Sequence, residues 1–502
     1  FLVMLGLFSI LGYQTAIGNV TMRLDQYRGE FNSDWVGSMM ALLTTFFLGW
    51  FGFYLVKGSV ARDRETGVGQ IMATTPLTRP LYMIGKWASN FSVLLAMNLV
   101  LVLAGIGIQF LAGENQQFDL YAMLAPFLYI ALPLMAVVAA IAVLFESIGF
   151  LSGGFGNIVY FFLFIFTLPL SDSLGKTNPA FEPLGLALIQ QSASVAAMEA
   201  FPDYSGGFVL GDAGGALGID FESASNTFLW AGVDWTPEII LKRFAFFALA
   251  IALTLLASVF FDRFDPSRQR PRRAKNSASP PKPEPVSTSQ AVSQPVHLTH
   301  LTASTNSFAF FRILFLELKL LLKGQRWWWY AVSVGWFIAA LTNTAENTRM
   351  FILPLTWLWP VLIWSGMGSR ELRHNAQQMV FSSAAPLARQ LLATWLAGVL
   401  VALLTGSGVA IKLLGAGDGI GLLAWFSGAL FIPSLALALG VWSKSHKAFE
   451  IIHVTAWYLT LNGVEAVDYL GANSDGNIGV FIPLSIGLLA LAFLGRARQL
   501  QN

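Results

Sequence analysis

The sequence predicts an all-α polytopic membrane protein of about twelve transmembrane helices, arranged as two parallel six-helix repeats. Three observations carry that expectation. Of 502 residues, 55% are hydrophobic and only 12% charged, far from the roughly 25% charge of soluble domains. The apolar residues fall in blocks of about 17 to 25, the length with which a helix crosses about 30 Å of hydrocarbon. A charged, proline-bearing signature also recurs once in each half of the chain.

In the first half (1–262), the blocks place spans at 1–20, 36–56, 88–111, 122–145, 155–170 and 241–261. Phe1 opens inside an apolar run with no initiator Met, so the start of the protein is expected upstream. Between the fifth and sixth spans, the loop 171–238 holds nine acids against one Lys and no Arg, which assigns it to the outer side. Lys242 and Arg243 at the outer start of the sixth span run mildly against that rule. The segment 263–306 carries seven Pro, seven Ser and seven Lys or Arg against two acids, a composition that cannot bury a core and reads as a disordered cytoplasmic linker. The second half (307–502) opens with an amphipathic interfacial helix at 307–323, then an aromatic belt at Trp327 to Tyr330. Its spans are expected at 328–345, 350–364, 391–414, 420–442, 448–463 and 478–494.

Orientation follows from where the cations fall. The cluster Arg268, Arg270, Arg272, Arg273 and Lys275 follows the sixth span, and Arg496 and Arg498 end the last one. Both ends are therefore expected in the cytoplasm, with the loops after the second span of each half. Those two loops also match each other. Arg64 and Glu65 pair with Arg370 and Glu371, and Pro76, Leu77 and Arg79 pair with Pro386, Leu387 and Arg389. Thr75-Pro76 is expected to cap a third helix that starts in the cytoplasm, with Pro386 placed likewise. A second echo sets Pro133 and Phe145-Glu146 beside Pro433 and Phe449-Glu450. Because both loops face one side, the repeats are parallel.

The loop at 61–86, ARDRETGVGQIMATTPLTRPLYMIGK, resembles the cytoplasmic loop of type-2 ATP-binding-cassette (ABC) exporter permeases. That loop pairs an Arg-Glu-x-Gly start with a Thr-Pro step and a Tyr-x-x-Gly-Lys end, here Arg64, Glu65, Gly67, Thr75, Pro76, Tyr82, Gly85 and Lys86. The second copy, SRELRHNAQQMVFSSAAPLARQLLATWLAG, is similar but lacks the Gly-Lys end. GGFGN at 153–157 and FEIIHVTAWYLTLNG at 449–463 also look like the larger, two-repeat permeases of this family. The resemblance implies a transmembrane subunit of an exporter in the cell (inner) membrane. Two copies of a separate ATPase, which carry ATP and Mg, would seat on these loops, with Arg79 and Arg389 as further contacts.

Other chemistries find little support. No G-x-x-x-x-G-K-[ST] run exists, so a phosphate loop is not expected in this chain, nor any catalytic or cofactor site. The five His residues form no HExxH pair, the absence of Cys removes thiolate ligands, and no metal site is expected. A net charge of +2 does not point to nucleic acid; membrane lipid and an unidentified transported substrate are the expected partners. Glu146, Glu450 and His453 are ionisable residues at or inside spans, the positions where such groups serve either a polar path or a structural interface. A secondary transporter of the major-facilitator type is the rival reading. Its loop motif is only loosely echoed by Gly58, Asp63, Arg64 and Gly67, at the wrong spacing. A membrane-embedded transferase, arguable from the acids of the outer loop, is the third.

Overall fold

The computed structural model describes residues 22–24, 27–115, 117–204, 209–210, 226–264, 309–323, 325, 327–382, 386–461, 465–472 and 478–501. The expected first span and nearly all of the linker lie outside them.

The first half contains α1 (Ser33–Val56), the short helices α2 (Ser59–Glu65) and α3 (Val68–Thr74), then α4 (Arg79–Ala112), α5 (Leu120–Ser147), α6 (Gly154–Thr177), α7 (Leu186–Ala200) and α8 (Pro237–Phe260). The second half contains α9 (Ala309–Leu322), α10 (Trp327–Thr342), α11 (Leu353–Leu358), α12 (Val361–Trp364), α13 (Arg370–Arg373), α14 (Gln377–Phe381), α15 (Leu392–Thr405), α16 (Ser407–Ala416), α17 (Gly419–Ser443), α18 (Lys447–Leu461) and α19 (Ile478–Gln501). Among the described residues, seven helices are long and apolar enough to cross a membrane, or eight when the bent pair α15–α16 counts as one span. The protein is an all-α, multi-pass membrane protein. Its central spans are α1, α5 and α17, whose apolar windows are 78%, 67% and 72% buried, against 17% for α8 and 22% for α19. The outer pair turns residues such as Leu241, Val259 and Ile486 outward, which suits lipid and would be an aggregation-prone surface in water.

Four other expected spans are helical but short or broken. The α10 helix has 16 residues and α18 has 15, about 24 and 22 Å at 1.5 Å per residue. The segment expected at 350–364 breaks at Trp359-Pro360, because Pro360 has no N–H to donate back to the preceding turn. The segment expected at 391–414 bends by 58° at Gly406. Prolines also explain two wide turns: π turns at Phe127–Ala131 and Thr348–Ile352 each precede a Leu-Pro step, Leu132-Pro133 and Leu353-Pro354, which makes room for the ring.

At the end of the spans away from the two loops, polar caps close the helices. Asn32 accepts from Trp35 N–H, Asp119 from Tyr121 and Ala122 N–H, Thr236 from Ile239 N–H, and Asp418 from Gly421 N–H. Over that end sits a small cap that the sequence presents as a solvated loop. Strand β1 (Met22–Arg23) pairs antiparallel with β3 (Val209–Leu210), and β2 (Tyr27–Gly29) pairs parallel with β4 (Asn226–Phe228). Trp35 meets Phe228 and Trp230 edge-on, and Tyr27 stacks on Phe201. Not all nine acids of this region are solvated: Glu182 is fully buried and receives the N–H groups of Leu184 and Ala187 as α7 begins. Arg243 is buried too and donates to the Glu182 carbonyl, so it acts as an internal group and carries no weight in the inside–outside charge balance.

Candidate functional site

The opposite face carries the two loops, and their order of elements is the same. In each, a left-handed glycine (Gly58, φ 118°; Gly368, φ 77°) leads to a short helix holding the Arg-Glu pair, α2 or α13. A second left-handed residue follows (Gly67, φ 75°; Asn375, φ 52°), then another short helix, α3 or α14, and then the long helix α4 or α15.

The start of the long helix differs from expectation in the first copy. Thr75 ends α3 with its hydroxyl on Met72 O, and α4 begins only at Arg79, with Pro80 in its first turn. Pro76 lies in the link between them. Thr75-Pro76 therefore closes one helix and does not open the next, because the hydroxyl reaches back by three residues to a carbonyl left open at the end of α3. In the second copy, the described helical run starts at Pro386, as a π turn Pro386–Leu391 that continues into α15; residues 383–385 lie outside the described residues.

The residues expected to dock a partner divide into two groups. Glu65, Pro76 and Arg389 are exposed, Arg79 is half-buried, and a Cβ on Gly85 would meet nothing within 4 Å. Arg64 is exposed and pairs with Asp262 at 3.2 Å, just past α8. Others are engaged inside the chain. Tyr82 is buried, stacks on Phe261 at 4.9 Å and donates to Asp63 at 2.8 Å; Lys86 pairs with the same carboxylate at 2.7 Å and donates to Ser59 O at 3.1 Å. The Tyr-x-x-Gly-Lys end thus ties α4 to α2. In the second copy Arg370 pairs with Glu317 of α9, and the buried Glu371 pairs with Arg496 of α19 at 3.2 Å. Gly440 lets this turn lie on α17, since a Cβ there would fall 1.9 Å from Met367 O.

Beneath the first loop is a buried polar joint. Glu146, in the last turn of α5, accepts the N–H groups of Gly58 (2.6 Å), Ser59 (3.2 Å), Val60 (2.7 Å) and Ala61 (3.0 Å). These are the unsatisfied donors at the start of α2, so one carboxylate caps the loop helix from a neighbouring span. Lys57, only 4% exposed, spends its three ammonium protons on Leu151 O (3.0 Å), Gly153 O (3.0 Å) and Asn157 Oδ1 (2.7 Å), pinning the start of α6. Asn157 in turn donates to Glu450 of α18, and Lys447 donates to the carbonyls of Tyr54 (3.0 Å) and Lys57. Two ammonium groups and two carboxylates thus gather where α1, α5 and α6 of the first half meet α18 of the second. Aromatic pairs extend that contact along α6 and α18, Phe161 with Tyr458 and Phe162 with Trp457.

Glu450 and His453 do not act as a pair. Glu450 turns to Asn157, while the fully buried His453 stacks on Phe449 and lies 3.4 Å from Tyr469 OH. Nor do Glu146 and Glu450 hold matching places, despite the Phe-Glu echo: Glu146 ends one helix, and Glu450 begins the next helix of its half.

The joint holds no nucleophile–base pair, and its charges are spent on backbone groups and on Asn157, an arrangement that suits mechanical connection. Sequence reading missed Lys57, Asn157 and Lys447 as members. The only available signal was Asn157 at the end of the GGFGN run, since a Lys at a span boundary reads as an ordinary interfacial cation. No family model, curated protein or solved structure matches the chain.

Proposed function

We propose that this chain is the permease subunit of a type-2 ABC transporter, an exporter, driven by a separate ATPase that docks on the two loops. In this reading the short helix α10, the α11–α12 segment, α18 and the apolar block 1–20 complete twelve spans in two parallel six-span repeats. Both termini lie in the cytoplasm, and two copies of the ATPase bring ATP and Mg. The single observation that supports it best is the shared order of the two loops, each carrying an apolar residue outward at its second short helix. Ile71 of α3 is 69% exposed and Met379 of α14 is 75% exposed. Apolar residues on loops outside the spans have no lipid to face, so a protein partner is their natural cover. The first loop offers the more accessible charges, because Arg370 and Glu371 are already paired within the second half.

Mild-detergent purification tests this. An ATP-hydrolysing subunit is expected to accompany the chain and to be lost with Ile71→Asp, a surface change that leaves the buried Tyr82–Asp63–Lys86 cluster intact. Transport that persists without any ATPase, driven by an ion gradient, overturns the reading.

A further inference from the structure

A cavity of about 250 Å³ lies between the end of α9, α10 and α15, with Leu322, Phe337, Val401 and Leu404 in its wall. Its hydroxyls are spent. Tyr330 donates to Leu322 O (3.2 Å), Ser333 to Trp329 O (3.1 Å) and Thr405 to Val401 O (2.8 Å). A guest therefore finds hydrocarbon and no hydroxyl in need of a partner. The floor is deep, with Val401 1% and Trp329 8% exposed, while Val334 (55%) and Leu404 (62%) sit on the open side. That side belongs to two apolar membrane helices, so the opening faces acyl chains. The volume falls below the roughly 300–1,000 Å³ of pockets that take drug-sized ligands, and leaves room for a stretch of one slender chain.

The rim supplies the second half of the argument. Along α9 and just past it, Arg312, Lys319 and Lys323 are exposed. The one acid of this helix, Glu317, is buried and neutralised by Arg370. The helix thus presents net positive charge beside an interfacial belt in which Trp327 and Trp328 are 81% and 46% exposed.

We propose that this slot holds one acyl chain of an anionic phospholipid whose headgroup rests on the cations of α9. The assignment does not depend on ATPase docking.

The experiment reconstitutes the full chain in vesicles of phosphatidylcholine with phosphatidylglycerol, each lipid in turn carrying a diazirine on its acyl chain. Photolabel from phosphatidylglycerol should concentrate on peptides bearing Phe337 and Leu404 over those of the lipid-facing α8. Ser333→Trp, which fills the slot from one wall, or Leu404→Trp, which fills it from the other, should cut that label roughly tenfold, the change that about 1.4 kcal/mol carries. Labelling of α8 should not change, and serves as the check that either variant is folded. Lys319→Glu with Lys323→Glu should lower labelling by phosphatidylglycerol alone. Equal labelling of α8 and the slot, or labelling insensitive to both filling variants, overturns the site; equal labelling by the two lipids overturns its anionic preference.

Discussion

Glu146 accepts the N–H groups of residues 58–61, so its removal strands the donors that begin α2. Loss of a helix cap costs about 0.5–2 kcal/mol, and Glu146→Ala should raise local opening of the first loop roughly tenfold while the spans stay folded. Limited proteolysis between residues 58 and 78 measures this; an unchanged cleavage rate would show that the carboxylate is incidental to the loop. A second test concerns the joint between halves. Lys57 is the buried cation nearest Asn157 and, through it, Glu450, and removing one partner of a buried charged set costs about 3–5 kcal/mol. Lys57→Met is therefore expected to lower thermal stability in detergent sharply, and Glu450→Gln in the same chain to restore part of it. A double-mutant cycle on Asn157→Ala and Glu450→Ala should return a coupling of about 0.5–3 kcal/mol. Additive losses would mean that the two halves do not communicate through this bond.

At the scale of elements, the cap on the end away from the two loops has its own pH dependence. Arg28 of β2 pairs with Glu114, just past α4, at 2.6 Å, and the guanidinium holds this carboxyl below its usual range. A depressed acid stabilises the fold above its unfolded value, about 4.3, and loses that contribution as pH falls through its lower folded value. Protection of the amides of residues 27–31 against hydrogen exchange, taken relative to the intrinsic rate at each pH, should therefore fall on acidification below about pH 4. Arg28→Met should abolish that step, and a step that persists in the variant would assign it to another group.

How much was legible depends on range along the chain. The helices α1, α4, α5, α6, α8, α17 and α19 were readable because block length and hydropathy are local properties, and the two loops because Arg-Glu and proline steps are short motifs. The bend at Gly406 and the break at Pro360 depend on a single residue inside an apolar block, which a hydropathy window averages away. The polar joint was not readable, because Asn157 and Glu450 are 293 residues apart and Lys447, one turn before Glu450, reads from sequence as an ordinary interfacial cation. Tyr82 and Lys86 were visible as a motif, yet their role was not: the partner that buries them, Asp63, sits in the loop itself and reads from sequence as one more surface acid.

For the whole molecule, the loops are alike in order and unlike in engagement. The first rests on Glu146 and leaves Arg64, Glu65 and Ile71 outward; the second is drawn in by Glu317 and Arg496. An ATPase stroke at α2–α3 would reach α5 through Glu146, α6 through Lys57 and the second half through Glu450. The absence of cysteine makes the most direct test simple, because one introduced thiol is unique. Ile71→Cys carrying a short photo-crosslinker, activated in native membranes, should give an adduct with a subunit that binds ATP, while Val334→Cys on α10 should give none. An adduct with a protein that has no nucleotide site, or no protein adduct at Ile71→Cys, would contradict the account.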